Sequence, residues 1–234
     1  MQTPAERHLV QTLASFLNSR ETASDAPRIL DAGAGQHLSI LQQLTPLGCR
    51  YVCDRTDIDG CEVDFPSVGE CWTCPIDDMR PVSSGRYVAV FANYVLEHVE
   101  NLAGASQEIH RVLAPGGLFV ATVPNTLAPE FLLARHTPLW FHNAVRGGHA
   151  FPTQYAYKSI SELLDFFRAV DFQLEEERRW SFAEGYLFKY PIASTLSRLY
   201  DRTVLACRCG WLMGQVCLVL QKPVRNTSVP DSLE

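Results

Sequence analysis

The sequence predicts an α/β protein with a doubly wound, Rossmann-like sheet. The first observation is an apolar run at residues 28–32, which leads directly into the paired glycines Gly33 and Gly35. The second is a series of apolar, β-rich segments that alternate with stretches of helical spacing, a succession typical of βα units. The third is composition. Of the 234 residues, 47% are hydrophobic and 20% are charged, which suits a single domain over residues 1–234.

The N-terminal segment predicts a helix with a defined start. Thr3 can cap the helix through its hydroxyl group, Pro4 suits the first turn, and Glu6 lies three residues beyond the cap. We expect the apolar face of this helix to pack on the sheet or to close a binding site. That face carries Leu9, Leu13, Phe16 and Leu17.

Apolar and β-branched runs mark the remaining strands of the predicted sheet. They lie at residues 49–54, 72–78, 86–93, 118–123, 172–180 and 213–220. Helical spacing of apolar residues indicates one helix that ends at Leu113 and another over residues 158–170.

The chain divides into four stretches: the N-terminal helix in 1–27, the core βα units in 28–125, a loop region in 126–157 and a C-terminal part in 158–234. The C-terminal part contains a long insert, 184–212, whose apolar residues are dense and partly helical in spacing. The first interpretation of this insert is a packed helical pair that covers the sheet edge. The second is a lid, or a surface that docks a lipid-like substrate or a partner subunit.

The turn after the first strand has the chemistry of a ligand-binding loop. Gly33 and Gly35 permit a tight turn, and the carboxylate of Asp31 beside them would repel a pyrophosphate but attract an amine. The third glycine of the dinucleotide fingerprint would fall at position 38, which is Leu38. These features disfavour NAD and favour S-adenosylmethionine (SAM), whose amino acid end carries an ammonium group.

The second predicted strand ends in another acid. Asp54 closes the run 49–54 and lies 23 positions after Asp31. An acid at the end of the second strand of a doubly wound sheet is placed to accept hydrogen bonds from both ribose hydroxyls of a nucleoside. We therefore predict that Asp54 binds the ribose.

Five segments, in this order and at this spacing, resemble the class I SAM-dependent methyltransferases. The resemblance covers roughly residues 28–125 and continues more weakly to about residue 175. The matching segments are 29–35 as the glycine motif, Asp54 as the ribose acid, 75–78 as the adenine loop, and 91–99 and 108–117 as the later motifs. One departure is His37, which stands where many members of the family carry a third alternate glycine.

The resemblance implies a fold and a set of cofactor residues. The fold is a seven-stranded Rossmann-like sheet, mostly parallel, with an antiparallel last strand inserted beside the sixth. In this family the stretch 28–125 binds the cofactor. The residues implied are Asp31, Gly33, Gly35 and Asp54, with Ile76 and Asp77 at the adenine and Asn93 also in the cofactor site.

The resemblance also implies that the region after the fifth strand, here 126–157, shapes the acceptor pocket. Histidine and aromatic residues concentrate there, and an unperturbed imidazole titrates near neutral pH. His142 and His149 are the preferred candidates for a general base, with surface or packing roles as the alternative. The other candidates are His136, Tyr155 and Tyr157.

The function that follows is methyl transfer from SAM to a small-molecule acceptor, with O-methylation of a hydroxylated metabolite, sugar or lipid-linked intermediate preferred. One alternative is N- or C-methylation. Another is a SAM-binding protein that transfers no methyl group, acting as a regulatory partner or using the sulfonium as a fixed charge. A homodimer is an open alternative for the assembly.

Composition argues against several other classes. A net charge of −6 and a pI near 5.6 disfavour nucleic acid as a partner, because phosphate binding needs a basic patch. No signal sequence and no apolar run of about 18 residues is visible, so we expect a cytoplasmic protein without a membrane span.

Four of the eight cysteines are candidates for a zinc site. Cys71 and Cys74 have metal-ligand spacing, and Cys207 and Cys209 could complete four thiolates. The first pair spans a predicted strand, which would aim its side chains in different directions. We therefore expect no metal site and interpret the cysteines as small hydrophobic residues.

Overall fold

A computed structural model of the chain describes residues 2–20, 25–129, 131, 156–187 and 191–224. The strands are β1 (Arg28–Ala32), β2 (Val52–Asp57), β3 (Val68–Thr73), β4 (Tyr87–Asn93), β5 (Leu113–Pro124), β6 (Gln173–Trp180) and β7 (Gln215–Gln221). The α-helices are α1 (Pro4–Asn18), α2 (Ser39–Leu44), α3 (Leu102–Val112), α4 (Ile160–Arg168), α5 (Ala183–Leu187) and α6 (Pro191–Cys207). Short 3₁₀ turns lie at Thr45–Leu47, Leu96–His98 and Gly210–Leu212.

The seven strands form one sheet in the order β3-β2-β1-β4-β5-β7-β6. The first five strands along the chain pair in parallel, and β7 runs antiparallel between β5 and β6. This arrangement confirms the predicted Rossmann-like sheet with its antiparallel last strand.

Two apolar layers cover the two faces of the sheet. On one face, buried residues of α1 and α2 pack against side chains such as Ile29 and Phe91. On the other face, α3 and α4 pack against the neighbouring side chains Leu30 and Val90. Successive strand residues point to opposite faces, so a strand buried on both sides reads as a continuous apolar run.

Helix α1 begins as the sequence predicts. The hydroxyl group of Thr3 accepts from the Glu6 N–H at 3.1 Å, and the Glu6 carboxylate accepts from the Thr3 N–H at 2.8 Å. Both halves of a capping box are therefore present. Leu9, Leu13 and Leu17 are buried against the sheet.

β2 lies a few residues later in the sequence than predicted, and β3 lies a few residues earlier. β2 ends at Asp57 rather than at residue 54, and its pairing with β1 runs from Val52 to Thr56. Residues 54–56 continue the strand because the buried charges of Asp54 and Arg55 are paired with Arg28 and Asp31 on β1, and Asp57 ends it partly exposed. β3 ends at Thr73, so the acidic residues of 74–78 form a loop beyond the strand.

The insert contains a helical pair, α5 and α6, in which most apolar side chains of α6 are exposed rather than buried. Asp201 of α6 accepts hydrogen bonds from the N–H groups of Ala183 and Glu184, at 3.0 and 2.9 Å, and so caps α5. The apolar side chains of α6 mostly face outward, and Ile192 is 81% exposed. The prediction that they form core is therefore wrong for most of this helix. The outward-facing residues are Ile192, Leu196, Leu199 and Leu205.

The described part of the chain shows neither a candidate membrane span nor a candidate metal cluster. None of its helices combines the length and the apolar character needed to cross a bilayer. No three His, Cys, Asp or Glu side chains in it converge in a way that would hold a metal ion.

Candidate active site

A cavity of about 460 Å³ lies at the carboxyl ends of β1 and β4. The strand order reverses between these two strands, and ligands of open α/β sheets bind at such a switch point. Two of the predicted cofactor residues from separate strands, Asp31 and Asn93, meet here. The lining residues are Glu6, Asp31, Gly33, Ala34, His37, Ser39, Ile40 and Asn93.

The glycine loop after β1 adopts a backbone that favours glycine. Gly33 has φ +78° and Gly35 has φ +52°, both in the left-handed region. A Cβ atom at Gly33 would lie 2.5 Å from a methyl carbon of Val95. The loop is also tied to β2, because the N–H groups of Gly33 and Ala34 both donate to the Thr56 carbonyl. Of the two predicted site residues in this loop, Gly33 lines the cavity and Gly35 lies two residues further along the same loop.

Arg55 anchors this loop from inside the sheet. Its side chain is fully buried and lies on β2, next to β1. Nη2 donates to the carbonyl groups of Ala34 and His37, at 3.1 and 2.7 Å. Nη1 donates to the Cys61 carbonyl at 2.8 Å. The same guanidinium therefore fixes both sides of the loop that encloses the cavity.

Asp31 lines the cavity but is itself only 6% exposed. Its Oδ2 atom lies 3.6 Å from Nε of Arg55. Burial raises the pKa of Asp31 to about 7, although the neighbouring Arg55 charge acts in the opposite direction. A cation entering the cavity would stabilise the ionised carboxylate, as the predicted ammonium group would.

The structure corrects the prediction for Asp54. Its side chain is completely buried, and Arg28 Nη1 donates to it at 2.8 and 2.9 Å. Arg86 lies 3.1 Å away, and the Tyr87 hydroxyl donates at 3.1 Å. The Glu70 N–H donates as well, at 2.9 Å. A carboxylate enclosed in this way joins β1, β2, β3 and β4 and has no surface for a ribose.

The acid that ends β2 is instead Asp57. Its Oδ2 atom accepts from the Gly35 N–H at 2.7 Å, so the carboxylate adjoins the glycine loop. Its Oδ1 atom accepts from the Asp59 N–H at 3.0 Å. Asp57 is partly exposed and lies at the carboxyl edge of the sheet. The sequence predicted the end of β2 at residue 54, three residues before its observed end.

The predicted adenine loop lies beyond the end of β3, at the same edge of the sheet. The Cys74 N–H donates to the Asp57 carbonyl at 3.0 Å, which places the loop beside the end of β2. Asp77 and Asp78 are partly exposed, and Asp78 pairs with Arg80 at 2.7 Å. Ile76 is 6% exposed and packs in the core. Most of the Ile76 side chain therefore faces the protein.

Asn93 is held in a hydrogen-bonded chain at the end of β4. The Thr122 hydroxyl donates to Asn93 Oδ1 at 2.6 Å, and Asn93 Nδ2 donates to Glu6 Oε1 at 3.0 Å. Glu6 thus belongs to the cavity as well as to the helix cap. The sequence pattern predicted only its capping role, because nothing local shows that α1 crosses the end of β4.

The acceptor side is described in part. His142 and His149, the candidate bases, lie outside the described residues, as do His136 and Tyr155. Tyr157 is described. It is buried, and its hydroxyl group donates to the Pro124 carbonyl at 3.0 Å, which gives it a packing role.

The fold and this site define a class of protein. A seven-stranded sheet of this order, with a glycine loop and acids at the ends of its first two strands, is that of a class I SAM-dependent methyltransferase. A family described as "Methyltransferase domain" matches residues 4–177, which is most of the chain. The chain belongs to this methyltransferase family, and its cofactor is SAM.

Solved structures share the fold at low sequence identity. A geranyl diphosphate C-methyltransferase from Streptomyces coelicolor A3(2) has a TM-score of 0.53 and 16% identity, covering 91% of this chain and 76% of that one. The [4+2]-cyclase SpnF has a TM-score of 0.56 and 18% identity, covering 91% and 80%. Phosphoethanolamine N-methyltransferase 2 from Haemonchus contortus has a TM-score of 0.54 and 14% identity, covering 91% and 52%. A search of curated proteins found no match.

The residues present fit the cofactor. The cavity offers a nearly buried acid, Asp31, and a left-handed glycine loop whose Gly33 lines it. A second acid, Asp57, lies on the other side of Gly35. Acids on both sides of a glycine loop suit a ligand with a cationic end and a ribose diol.

Proposed function

We propose that this methyltransferase acts on a small-molecule acceptor. The observation that carries the proposal is the fold that the chain shares with methyltransferases named for small molecules, geranyl diphosphate and phosphoethanolamine. The net charge of −6 agrees with this, since a nucleic acid acceptor would require a basic surface.

In this proposal the cofactor lies across the carboxyl edge of the sheet. Asp31 faces the ammonium end, and Asp57 accepts from the ribose hydroxyls in place of Asp54. Each carboxylate oxygen of Asp57 already accepts one N–H bond and retains a further lone pair for a hydroxyl group. Asp77 or Asp78 would accept from the adenine amine, with the small exposed part of Ile76 beside the ring. Asn93 borders the site from β4.

When bound, SAM supplies a methyl group on a positively charged sulfur. The chain's own contribution is to hold the acceptor in line behind that methyl carbon and to exclude water, which can account for much of the rate. A general base is needed only for an acceptor that attacks poorly while protonated, such as a hydroxyl group.

We propose a hydroxylated acceptor: a metabolite, a sugar or a lipid-linked intermediate. The histidines of the region 126–157 support this, because an imidazole that titrates near neutral pH can act as the general base that a hydroxyl acceptor needs.

The decisive experiment is an assay of S-adenosylhomocysteine formation against acceptors grouped as alcohols, amines and carbon nucleophiles. We expect turnover with alcohols and a methyl ether as the product, identified by mass spectrometry. Turnover confined to amines or carbon nucleophiles would replace the O-methyl proposal but keep the small-molecule site. Tight SAM binding with no turnover in any group would count against the small-molecule proposal.

The base can be tested separately. His142→Ala or His149→Ala, at the correct position, should reduce turnover by about 10²–10⁴ while SAM affinity stays unchanged. His98→Ala is a suitable control, because His98 is an exposed histidine of the 3₁₀ turn after β4. Full activity in both loop variants would leave positioning alone as the account of catalysis.

A further inference from the structure

Helix α1 carries a charge into the cofactor cavity. Glu6 lies in its first turn, and its side chain lines the same cavity as Asp31 and Gly33. A capping-box glutamate normally serves its own helix and faces solvent. Here the helix begins over the end of β4, so the carboxylate also faces the ligand space.

The position of this carboxylate is fixed from two sides. Oε2 accepts from the Thr3 N–H at 2.8 Å, and Oε1 accepts from Asn93 Nδ2 at 3.0 Å. The Asn93 amide is itself oriented, because its Oδ1 atom accepts from the Thr122 hydroxyl at 2.6 Å. Glu6 is therefore a placed group in the cavity wall.

The two acids of the cavity differ in how their charge is balanced. Asp31 lies 3.6 Å from the buried guanidinium of Arg55. Glu6, in contrast, accepts from two neutral donors, and no basic side chain among the described residues forms an ion pair with it. Within the described part of the chain, Glu6 is thus the acid of the cavity wall that forms no ion pair with an arginine.

We infer that Glu6 makes the cavity bind SAM, whose sulfur is positively charged, more tightly than the product S-adenosylhomocysteine, whose sulfur is neutral. This inference rests on the proposed cofactor site. During transfer the acceptor's lone pair bonds to the methyl carbon, the electron pair of the carbon–sulfur bond stays on sulfur, and a hydroxyl acceptor gives its proton to a base or to water. The sulfonium thereby becomes a neutral thioether, while the ammonium group remains. An uncompensated carboxylate attracts the first form more strongly than the second, which favours product release.

The test compares three ligands by calorimetric titration: SAM, S-adenosylhomocysteine and sinefungin, an analogue with an amine near the position of the sulfonium. Glu6→Gln removes the charge but keeps a side chain that capping boxes accept. We expect the variant to lose about fivefold in affinity for SAM and sinefungin, the effect of one partly exposed charge contact, with little change for S-adenosylhomocysteine.

Thr3→Ala is the matched control. It removes the hydroxyl group that accepts from the Glu6 N–H and so weakens the same helix start, but it leaves both cavity carboxylates in place. We expect Thr3→Ala to keep the wild-type ratio of SAM to S-adenosylhomocysteine affinity. Thermal unfolding of both variants verifies that the fold is intact.

The outcomes separate the inference from the function on which it rests. Equal loss of affinity for SAM and S-adenosylhomocysteine in Glu6→Gln would overturn the inference, because Glu6 would then act on a group that both share. The same shift of the ratio in Thr3→Ala would overturn it too, by assigning the effect to the helix. If the wild-type protein binds none of the three ligands, the proposed cofactor site itself fails.

Discussion

Nε of Arg55 lies 3.6 Å from Oδ2 of Asp31, and the arginine side chain is completely buried. The remaining guanidinium nitrogens donate to the carbonyl groups of Ala34, His37 and Cys61. A single side chain of β2 thus balances the acid of the cavity and holds the glycine loop. The conformation of the loop and the charge of the cavity are therefore linked.

Arg55→Met should impair both stability and cofactor binding. It leaves Asp31 buried without its partner and three carbonyl groups without their donor, and breaking a buried ion pair costs about 3–5 kcal/mol. We expect the free energy of unfolding in urea to fall by about that amount, and SAM affinity to fall by about tenfold or more because the loop loses its anchor.

Arg168→Met is the matched control. Arg168 pairs with Asp165 on α4 at 2.9 Å, its side chain is 50% exposed, and neither residue lines the cavity. Such surface pairs contribute about 0–1 kcal/mol. If Arg55→Met were as mild as Arg168→Met, the loop would not depend on Arg55.

The raised pKa of Asp31 predicts that cofactor affinity depends on pH. With a pKa of about 7, raised mainly by burial, the carboxyl group is mostly protonated at pH 6 in the free protein. Binding of an ammonium group favours the ionised form, so a proton must leave. We expect SAM affinity to rise by about tenfold between pH 6 and pH 8, with proton release measured by calorimetry in two buffers of different ionisation enthalpy.

Asp31 should also make the free energy of unfolding of the free protein depend on pH, in the opposite direction to SAM affinity. Its pKa in the folded state is raised from 3.8 to about 7, so the folded state holds the proton more tightly than the unfolded state. The stability from this group is therefore fully present below about pH 4 and is lost as pH rises through 7. Asp31→Asn should reduce the pH dependence of both SAM affinity and the free energy of unfolding. Profiles with the wild-type slope in Asp31→Asn would assign the dependence to another group.

The sequence predicted the elements whose signals are local. The cap of α1 depends on Thr3 and Glu6, three residues apart, and both hydrogen bonds of the capping box are present. The left-handed turn at Gly33 and Gly35 likewise follows from adjacent residues, and its residues Gly33 and Ala34 line the cavity.

The errors arose where distant residues decide the structure. The strand that continues through Asp54, Arg55 and Asp57 looks like a loop because three of its residues are charged. Those charges are tolerated because partners from other strands surround them: Arg28 at Asp54, and Asp31 at Arg55. For the same reason a sequence pattern cannot show that α1 brings Glu6 to Asn93.

The two acids of β2 should separate stability from binding. Asp54→Asn removes a charge that Arg28 and Arg86 both face, so we expect unfolding free energy to fall by about 3 kcal/mol. SAM affinity should remain unchanged once the fold is intact. Asp57→Ala should instead weaken SAM binding by more than about tenfold, since a hydrogen bond to a charged group is worth about 1.5–3 kcal/mol.

Urea denaturation and calorimetric titration of the same two variants provide the measurement. A loss of affinity in folded Asp54→Asn, with none in Asp57→Ala, would restore Asp54 as the ribose acid.

Gly33→Ala should disrupt the cofactor loop by steric contact rather than by backbone strain alone. Gly33 and Gly48 have nearly the same left-handed φ, +78° and +72°, so alanine at either position costs about 1–2 kcal/mol in backbone strain. A Cβ atom at Gly48 meets nothing within 4 Å, whereas one at Gly33 lies 2.5 Å from Val95.

We expect Gly48→Ala to lose only the strain energy and to bind SAM normally. Gly33→Ala should lose more stability and bind SAM at least about tenfold more weakly, because the loop or Val95 must move. Adding Val95→Ala should relieve the contact and recover part of both losses, measured by urea denaturation and calorimetry. If Gly33→Ala and Gly48→Ala behave alike, or if Val95→Ala recovers nothing, the close approach of Val95 does not constrain this loop.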